Sequence, residues 1–398
     1  MSLHRSVLAF LGLRASIAGL LGAVVLVGMG ERIAERFLPI YLLALGGGTF
    51  AIGLLNGLQN LLGALYSFPG GYLADRLGAR RSLLVFNLLA MAGFAIVIAF
   101  PRWEAVIAGC FFFLSWSAVS LPATMSIVSE TLPKTKRTMG VTMHSLVRRI
   151  PMAAGPLIGG ALIDAYGETD GVRLSFAAAF VMAGAACVLQ QRAVPDTPPP
   201  AGGAERNPLR LLRAMPPELR GLLVSDVLIR FCEQIPYAFV VVWAMKEVAA
   251  PVSAFEFGVL TAVEMATAVL VYIPVAWLAD RGRKEPFVAA TFVFFTLFPL
   301  VLWASRSFWP LVGAFAVRGM KEFGEPTRKA LIMDLAPEGR KAATFGLYYL
   351  IRDTVVSAAA FGGAFLWDLA PEANFLAAFG FGAAGTLWFV ARGRPRRA

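Results

Sequence analysis

"GGYLADRLGARRS" (residues 70–82) lies between two long apolar runs, and a degenerate copy, "VAWLADRGRKEPF", returns at residues 275–287. Asp75 and Asp280 are 205 residues apart, about half of a chain of 398. A charged box repeated at half-chain spacing, in apolar surroundings, predicts two like halves of one membrane protein.

Composition fixes the solvent. Hydrophobic residues make up 58% of the chain and charged residues 15%, and the mean hydropathy is +0.69; a soluble domain carries about 25% charged residues. Apolar runs of about 20 residues recur, long enough at about 1.5 Å per residue to cross a hydrocarbon core of about 30 Å. Twelve are counted: 17–45, 48–73, 82–100, 104–129, 139–164, 172–192, 219–247, 253–279, 285–304, 307–333, 341–367 and 371–391. The expectation is an all-α integral membrane protein of twelve transmembrane helices. The first run holds Glu31, Arg32, Glu35 and Arg36 and lacks a small-residue cleavage site, so it reads as a retained helix.

Alternate loops carry the positive charge: Arg76, Arg80 and Arg81; Lys134, Lys136 and Arg137; Arg206, Arg210 and Arg213; Arg281, Arg283 and Lys284; Arg340 and Lys341; Arg394, Arg396 and Arg397. Short loops rich in Lys and Arg stay in the cytoplasm, so both termini are expected there, in a plasma or inner membrane. The intervening loops, "LGGGT", "GETDG" and "LAPEAN", are neutral or acidic. The net charge of +11 follows from this topology and from anionic lipid headgroups, and does not call for nucleic acid. Cys110, Cys187 and Cys232 fall inside spans, which argues against disulfides and a cysteine metal site.

The Pro-rich segment "RAVPDTPPPAGGAERNP" (192–208) follows the sixth span. It divides the chain into an N-terminal six-helix bundle (1–192), a cytoplasmic linker (193–218) and a C-terminal six-helix bundle (219–398). The bundles read as repeats. "PATMSIVSETLP" (122–133) and "PTRKALIMDLAP" (326–337) each hold two prolines eleven apart, and Arg148 of "LVRRIP" and Arg352 of "LIRDTV" share their offset of 204. "AERFLPIY" and "CEQIPYAF" each bring a Glu, Glu35 or Glu233, close to a Pro, at an offset of 198.

With these residues the chain resembles the major facilitator superfamily over residues 17–391, and within it the twelve-helix drug:proton antiporters. The family's loop signature, G-x-L-a-D-r-x-G-r-k/r, is met by Gly71, Leu73, Asp75, Arg76, Gly78, Arg80 and Arg81; the second copy keeps Asp280 and Arg281, has Ala276 for the first glycine and lacks one residue before Gly282. The resemblance implies a cytoplasmic gate that holds the outward-open state. Independently of it, the glycines permit a tight turn, and Asp75 at a helix end can accept from the next helix's first amides. "PMAAGPLIGG" (151–160) resembles the antiporter motif through Gly155, Pro156, Gly159 and Gly160, with Pro151 for its opening glycine. Glycines at helical spacing admit a close helix, and proline bends its own. In span eleven only "FGG" (361–363) remains.

Charges inside the bilayer cost at least about 2.5 kcal/mol each at a helix centre unless paired or wetted, and so mark function or ion pairing. Glu31 and Glu35 lie four apart in span one, flanked by Arg32 and Arg36; Arg148 and Arg149 lie in span five; Asp226 and Arg230 are spaced as a helical pair before Glu233; Glu264 is in span eight. Span ten holds Arg318, Lys321, Glu322, Glu325, Arg328 and Lys329, whose spacing allows Arg318–Glu322 and Lys321–Glu325 pairs, and span eleven holds Arg352 and Asp353. Partly desolvated carboxylates suit proton carriage, which makes Glu35, Glu31, Glu233, Glu264 and Asp353 the candidates. Antiporters of this family usually carry an arginine in span four; "CFFFLSWSAVSLPATM" (110–125) has no charge, leaving Arg148 or Arg149 to tune the carboxylates.

Candidate substrate contacts are Arg32, Tyr41, Asn56, Gln59, Arg148, Arg149, Tyr237, Trp243, Glu322, Tyr349 and Arg352. No P-loop, no catalytic triad and no metal-ligand cluster is seen, and the histidines are His4 and His144 alone. The expectation is therefore a monomeric transporter rather than an enzyme, without a cofactor, driven by the proton gradient and exporting a hydrophobic or amphipathic small molecule. Uptake of a small organic anion or nutrient, or lipid translocation, are the alternatives; a receptor or scaffold leaves the repeat and the intramembrane charges without a purpose.

Overall fold

The computed structural model describes residues 15–77, 79–113, 148–193, 212–213, 215–279, 284–337 and 341–392. The helices are α1 (Ala15–Glu35), α2 (Leu38–Ala44), α3 (Gly48–Leu77), α4 (Ala79–Ala99), α5 (Trp103–Phe113), α6 (Arg149–Ala193), α7 (Pro217–Tyr237), α8 (Phe239–Val242) with a π-helical turn Trp243–Glu247, α9 (Ala254–Ala279), α10 (Glu285–Ala304), α11 (Phe308–Met320), α12 (Glu325–Leu335), α13 (Lys341–Leu369) and α14 (Pro371–Arg392). No strand occurs among the described residues. Six of these helices are by themselves long and apolar enough to cross a bilayer.

Local sequence explains where the predicted spans deviate from single helices. The 45 residues of α6 would reach about 68 Å, twice a hydrocarbon core. They break at Gly167, whose φ of 84° and ψ of 168° turn the chain back on itself. A Cβ at Gly171 would stand 2.6 Å from Leu162 O, so the two arms start out in contact. Span one is interrupted after Glu35, with Pro39 in the first turn of α2, and span seven bends by 41° beyond Tyr237, next to Pro236. Span ten is interrupted at Lys321–Gly324, and Pro326 sits in the first turn of α12. In these last three spans proline removes an amide that a continuous helix needs.

The helices gather into two compact units, one of Met1–Gly47 and Leu62–Ala201, the other of Gly48–Leu61 and Gly202–Ala398. In the first, α1 packs along α6, and α4 packs on α5 and α6; Phe94, Phe113 and Phe176 meet with ring centroids 5.6 to 5.9 Å apart. In the second, α7 packs on α13 and α14, and α10 on α11, α12 and α14. The N-terminal half of α3 belongs to this unit: a Cβ at Gly53 would stand 3.0 Å from Phe361 O, and Asn56 Nδ2 donates to Gln234 O at 3.0 Å and Ala360 O at 3.4 Å.

Both units use the same close helix approach. At Gly159 an added Cβ would collide with the carbonyl of Ile33, and at Gly363 with the carbonyl of Ile235. The two glycines are 204 residues apart and the two isoleucines 202, so the repeat is physical. It also corrects the register of the first spans: at an offset of 202 the partner of Glu233 is Glu31, not Glu35.

Candidate functional site

In the first unit the charges of α1 stand directly on the glycine seam of α6. A Cβ at Gly155 would stand 2.7 Å from Arg32 Cβ and 2.8 Å from its carbonyl carbon, and Gly28 of α1 faces Pro151 in the same way at 3.0 Å. At Gly155 and Gly28 little more than Arg32 Cβ and the Pro151 ring stands between the two helices. Arg32 is ion-paired with Glu35, both about a fifth exposed. Glu31, Arg32 and Arg148 line a crevice of about 20 Å³ together with Val24, Gly28 and Pro151, room for a single water. The structure thus brings Arg148 of span five to a carboxylate of span one. Arg149 opens α6 half-buried, and Tyr41 is fully buried, its hydroxyl without a hydrogen-bond partner among the described residues.

The second unit contains a chain of ten buried or half-buried charges in strict alternation. Arg318 Nε lies 3.4 Å from Glu264; Lys321 Nζ lies 3.5 Å from Glu264 and 2.8 Å from Glu233; Arg230 bridges Glu233 at 2.5 Å and Glu325 at 3.6 Å. Arg328 Nη2 lies 2.7 Å from Glu325, and its Nη1 is paired with Asp226. Arg352 Nη1 lies 3.4 Å from Asp226 and its Nε 2.7 Å from Asp353. Every member between Arg318 and Asp353 touches at least two opposite charges, which offsets the cost of removing them from water. Tyr348 Oη donates to Asp226 Oδ2 at 3.1 Å, and Arg318 is boxed by the rings of Tyr237, Phe298 and Phe315 at 5.2 to 5.7 Å.

Several expected pairings give way to this chain. Asp226 bonds Arg328 and Arg352 rather than Arg230, which turns to Glu233 and Glu325. Lys321 turns to Glu233 and Glu264 rather than to Glu325, because the break at Lys321–Gly324 removes the helical register on which the expected pair depends, and Arg318 also reaches Glu264. Glu233 and Glu264 are locked by cations, whereas Asp353 is 27% exposed and Glu35 21%. Trp243 is enclosed: its indole N–H donates to Leu302 O at 3.0 Å, and Trp367 and Phe375 pack on its ring. Asn56 spends its amide on backbone carbonyls, Gln59 and Glu322 are half-buried, and Tyr349 lies under Arg352 at 4.1 Å.

Of the gating candidates, Gly71, Asp75 and Arg76 lie in the last turns of α3, their side chains outside the described residues; Gly78, Asp280 and Arg281 lie outside them altogether. Arg80 ties α4 to the end of α6: its Nε donates to Gln191 Oε1 at 3.0 Å, it also bonds Gln191 O, and Gln190 Nε2 donates to Arg80 O at 3.2 Å. Arg81 is exposed beside it. Gly160 is buried in the seam next to Gly159. In the second unit the C-terminal end of α12 is tied by Asp334 to Lys284, at 2.6 Å. Among the described residues no group of His, Cys, Asp and Glu is placed to hold a metal ion.

The family model of the Major Facilitator Superfamily matches residues 20–245. An uncharacterized MFS-type transporter of Methanocaldococcus jannaschii, MJ1317, is 21% identical over 360 residues, 87% of each chain; the MFS-type transporter YfkF of Bacillus subtilis is 31% identical over 141 residues, 35% of this chain and 36% of that one. Among solved structures, a peptide transporter POT in complex with sulfate superposes with a TM-score of 0.78 at 15% identity, covering 94% of this chain and 93% of that one. A bacterial homologue of the human lysosomal transporter Spinster, inward-facing and unoccupied, gives 0.69 at 14%, covering 95% of each. The chain is a multi-pass membrane transporter and belongs to the major facilitator superfamily.

Proposed function

We propose that the protein exports a hydrophobic or amphipathic small molecule in exchange for protons, by alternating access, as a monomer of the plasma or inner membrane with both termini in the cytoplasm. The observation that carries this is the packing of α1 on α6. The Gly155 and Gly159 seam, the element built to bend, touches the one turn of the first unit that holds Glu31, Arg32 and Glu35. A carboxylate on that turn changes its neighbours when the seam moves, and a guanidinium that satisfies it in one state is withdrawn in the other. The coupling follows from that geometry. With the turn open to the outside, Glu35 or Glu31 takes up a proton and lets the arginine relax away; with it open to the cytoplasm, the returning Arg32 or Arg148 favours the carboxylate and expels the proton. The proton gradient is the sole energy source and no cofactor is required.

Proteoliposomes with an imposed pH gradient, offered a panel of cationic, neutral and anionic amphiphiles, test this. Uphill movement of at least one amphiphile that collapses with a protonophore is expected; movement that ignores the gradient refutes it. A second assignment, uptake of a small organic anion, is supported by the five cations of the charge chain and by the likeness to a peptide transporter solved with sulfate. The same panel separates the two by direction and charge.

A further inference from the structure

The alternating chain in the second unit ends unevenly. At one end Arg318 and Glu264 are almost completely enclosed. At the other, Asp353 is the most exposed acid of the five and contacts a single cation of the chain, Arg352. Exposure of a charged carboxylate within a span is exposure to water rather than to hydrocarbon, which would cost at least about 2.5 kcal/mol. The buried and half-buried members of the chain are balanced, with Arg318, Lys321, Arg230, Arg328 and Arg352 against Glu264, Glu233, Glu325, Asp226 and Asp353, and the half-exposed Lys329 adds one outer contact to Glu325. One proton on Asp353 therefore leaves one excess positive charge at Arg352 while breaking one ion pair; at Asp226, Glu233, Glu264 or Glu325 it would break two or more.

Two further groups beside Arg352 lack partners. The hydroxyl of Tyr349, whose ring carries the Arg352 guanidinium at 4.1 Å, is buried without a hydrogen bond among the described residues, and so is Arg328 Nε. Tyr349 and Arg328 are within electrostatic range of one another. Buried donors without an acceptor, next to a stacked guanidinium, are groups that a negatively charged acceptor would satisfy. The ring of Phe345, 4.6 Å from that of Tyr349, offers an apolar wall next to it.

We propose that Arg352, Tyr349 and Asp353 form a proton-gated anion site, in which a proton on Asp353 frees Arg352 to bind the anionic group of an amphipathic solute. The proton goes to the Asp353 carboxylate, and the ligand's oxygens take over its place on Arg352 with a hydrogen bond from Tyr349 Oη. The other charged groups around Arg352 have partners of their own: Asp226 and Arg230 on α7, and Arg328 on α12, which is paired with Glu325; Tyr348 on α13 donates to Asp226. The N-terminal half of α3 brings no titratable residue, and α14 carries charge at its two ends only, Glu372 and Arg392. The site stands on the second unit alone and holds whether or not α1 carries the coupled proton.

Benzenesulfonate, which stays ionised throughout, is the probe, with radiolabel binding to the purified protein in nanodiscs and no gradient. A single linked proton predicts binding about tenfold tighter for each pH unit of acidification over part of the range from about pH 8 to about pH 5.5. Asp353→Asn mimics the neutral acid and is expected to bind tightly at every pH; Tyr349→Phe keeps the pH dependence and weakens binding several-fold. Competition by phosphatidylglycerol over phosphatidylcholine nanodiscs assigns the site to a lipid headgroup, and indifference to lipid charge assigns it to a soluble anion; both keep the chemistry. Wild-type binding that does not change with pH overturns the proposal, whatever the variants do. So does an Asp353→Asn protein that elutes as folded and either fails to bind or retains the wild-type pH dependence.

Discussion

Replacing Asp226 by Asn removes the least exposed acid of the charge chain. Asp226 is fully buried, is paired with Arg328 Nη1, and lies 3.4 Å from Arg352 Nη1 and 3.1 Å from Tyr348 Oη. The amide keeps one acceptor oxygen and loses the charge, so two guanidiniums that are 2% and 7% exposed are left short of one anion. Breaking a buried pair by removing one partner costs about 3–5 kcal/mol. Arg328 retains Glu325 and Arg352 retains Asp353, each at 2.7 Å, which sets the expectation at the lower end. About 3 kcal/mol corresponds to roughly a hundredfold change in the folded-to-unfolded ratio. Equilibrium unfolding in mixed micelles, followed by tryptophan fluorescence, reads it out. Glu35→Gln is the control, because the Arg32–Glu35 pair is about a fifth exposed on both sides and should lose less than about 1 kcal/mol. The double variant Asp226→Asn, Arg328→Met restores the charge count and should recover at least about 1 kcal/mol relative to additivity. An Asp226→Asn protein within about 0.5 kcal/mol of wild type, below the usual cost of any buried change, would mean that water reaches the chain and that its alternation carries no structural weight.

Gly159→Leu and Gly363→Leu drive a side chain into the carbonyls of Ile33 and Ile235 respectively; both are expected to stall transport and to lower stability by about 1–3 kcal/mol, and wild-type rates in either would show that its seam opens without cost. Asp75→Asn, in the last turn of α3, should cut transport severely while the protein still reaches the membrane in normal amount; unimpaired transport would remove it from the gate. Arg80→Ala should loosen the end of α6 where Gln190 and Gln191 hold it, seen as faster proteolysis after residue 193 without loss of folded protein.

The spans and the repeat were legible because both are periodic. Hydropathy needs only a window of about 20 residues, and fixed offsets near 204 survive even where, as at Ala276, the motif decays. The interruptions within spans were written locally but misread. Pro39, Pro236 and Pro326 lie inside the expected spans 17–45, 219–247 and 307–333, whereas two of them open a new helix and one lies at the end of the old. The partners of the buried charges were not legible. Asp226 and Arg328 are 102 residues apart and Lys321 and Glu233 are 88 apart, so spacing within one helix pointed Asp226 to Arg230 and Lys321 to Glu325. The register of Glu31 was hidden for a different reason: a proline near each glutamate gave an offset of 198, while the contacts of Gly159 and Gly363 give 202. With no charge in span four, the sequence left Arg148 or Arg149 to tune the carboxylates, and of the two Arg148 lines the crevice with Glu31 and Arg32.

The most direct test of proton-coupled export is the proton itself. In proteoliposomes loaded with a pH-sensitive dye, an amphiphile found to be transported should drive proton movement in the opposite direction at a fixed ratio. Glu35→Gln or Glu31→Gln should abolish both that proton movement and accumulation against a gradient, while downhill exchange of the amphiphile partly survives. If the amphiphile moves with no proton flux in the wild type, or if both variants still accumulate it uphill, α1 does not carry the proton and the coupling proposed for the α1–α6 seam is wrong.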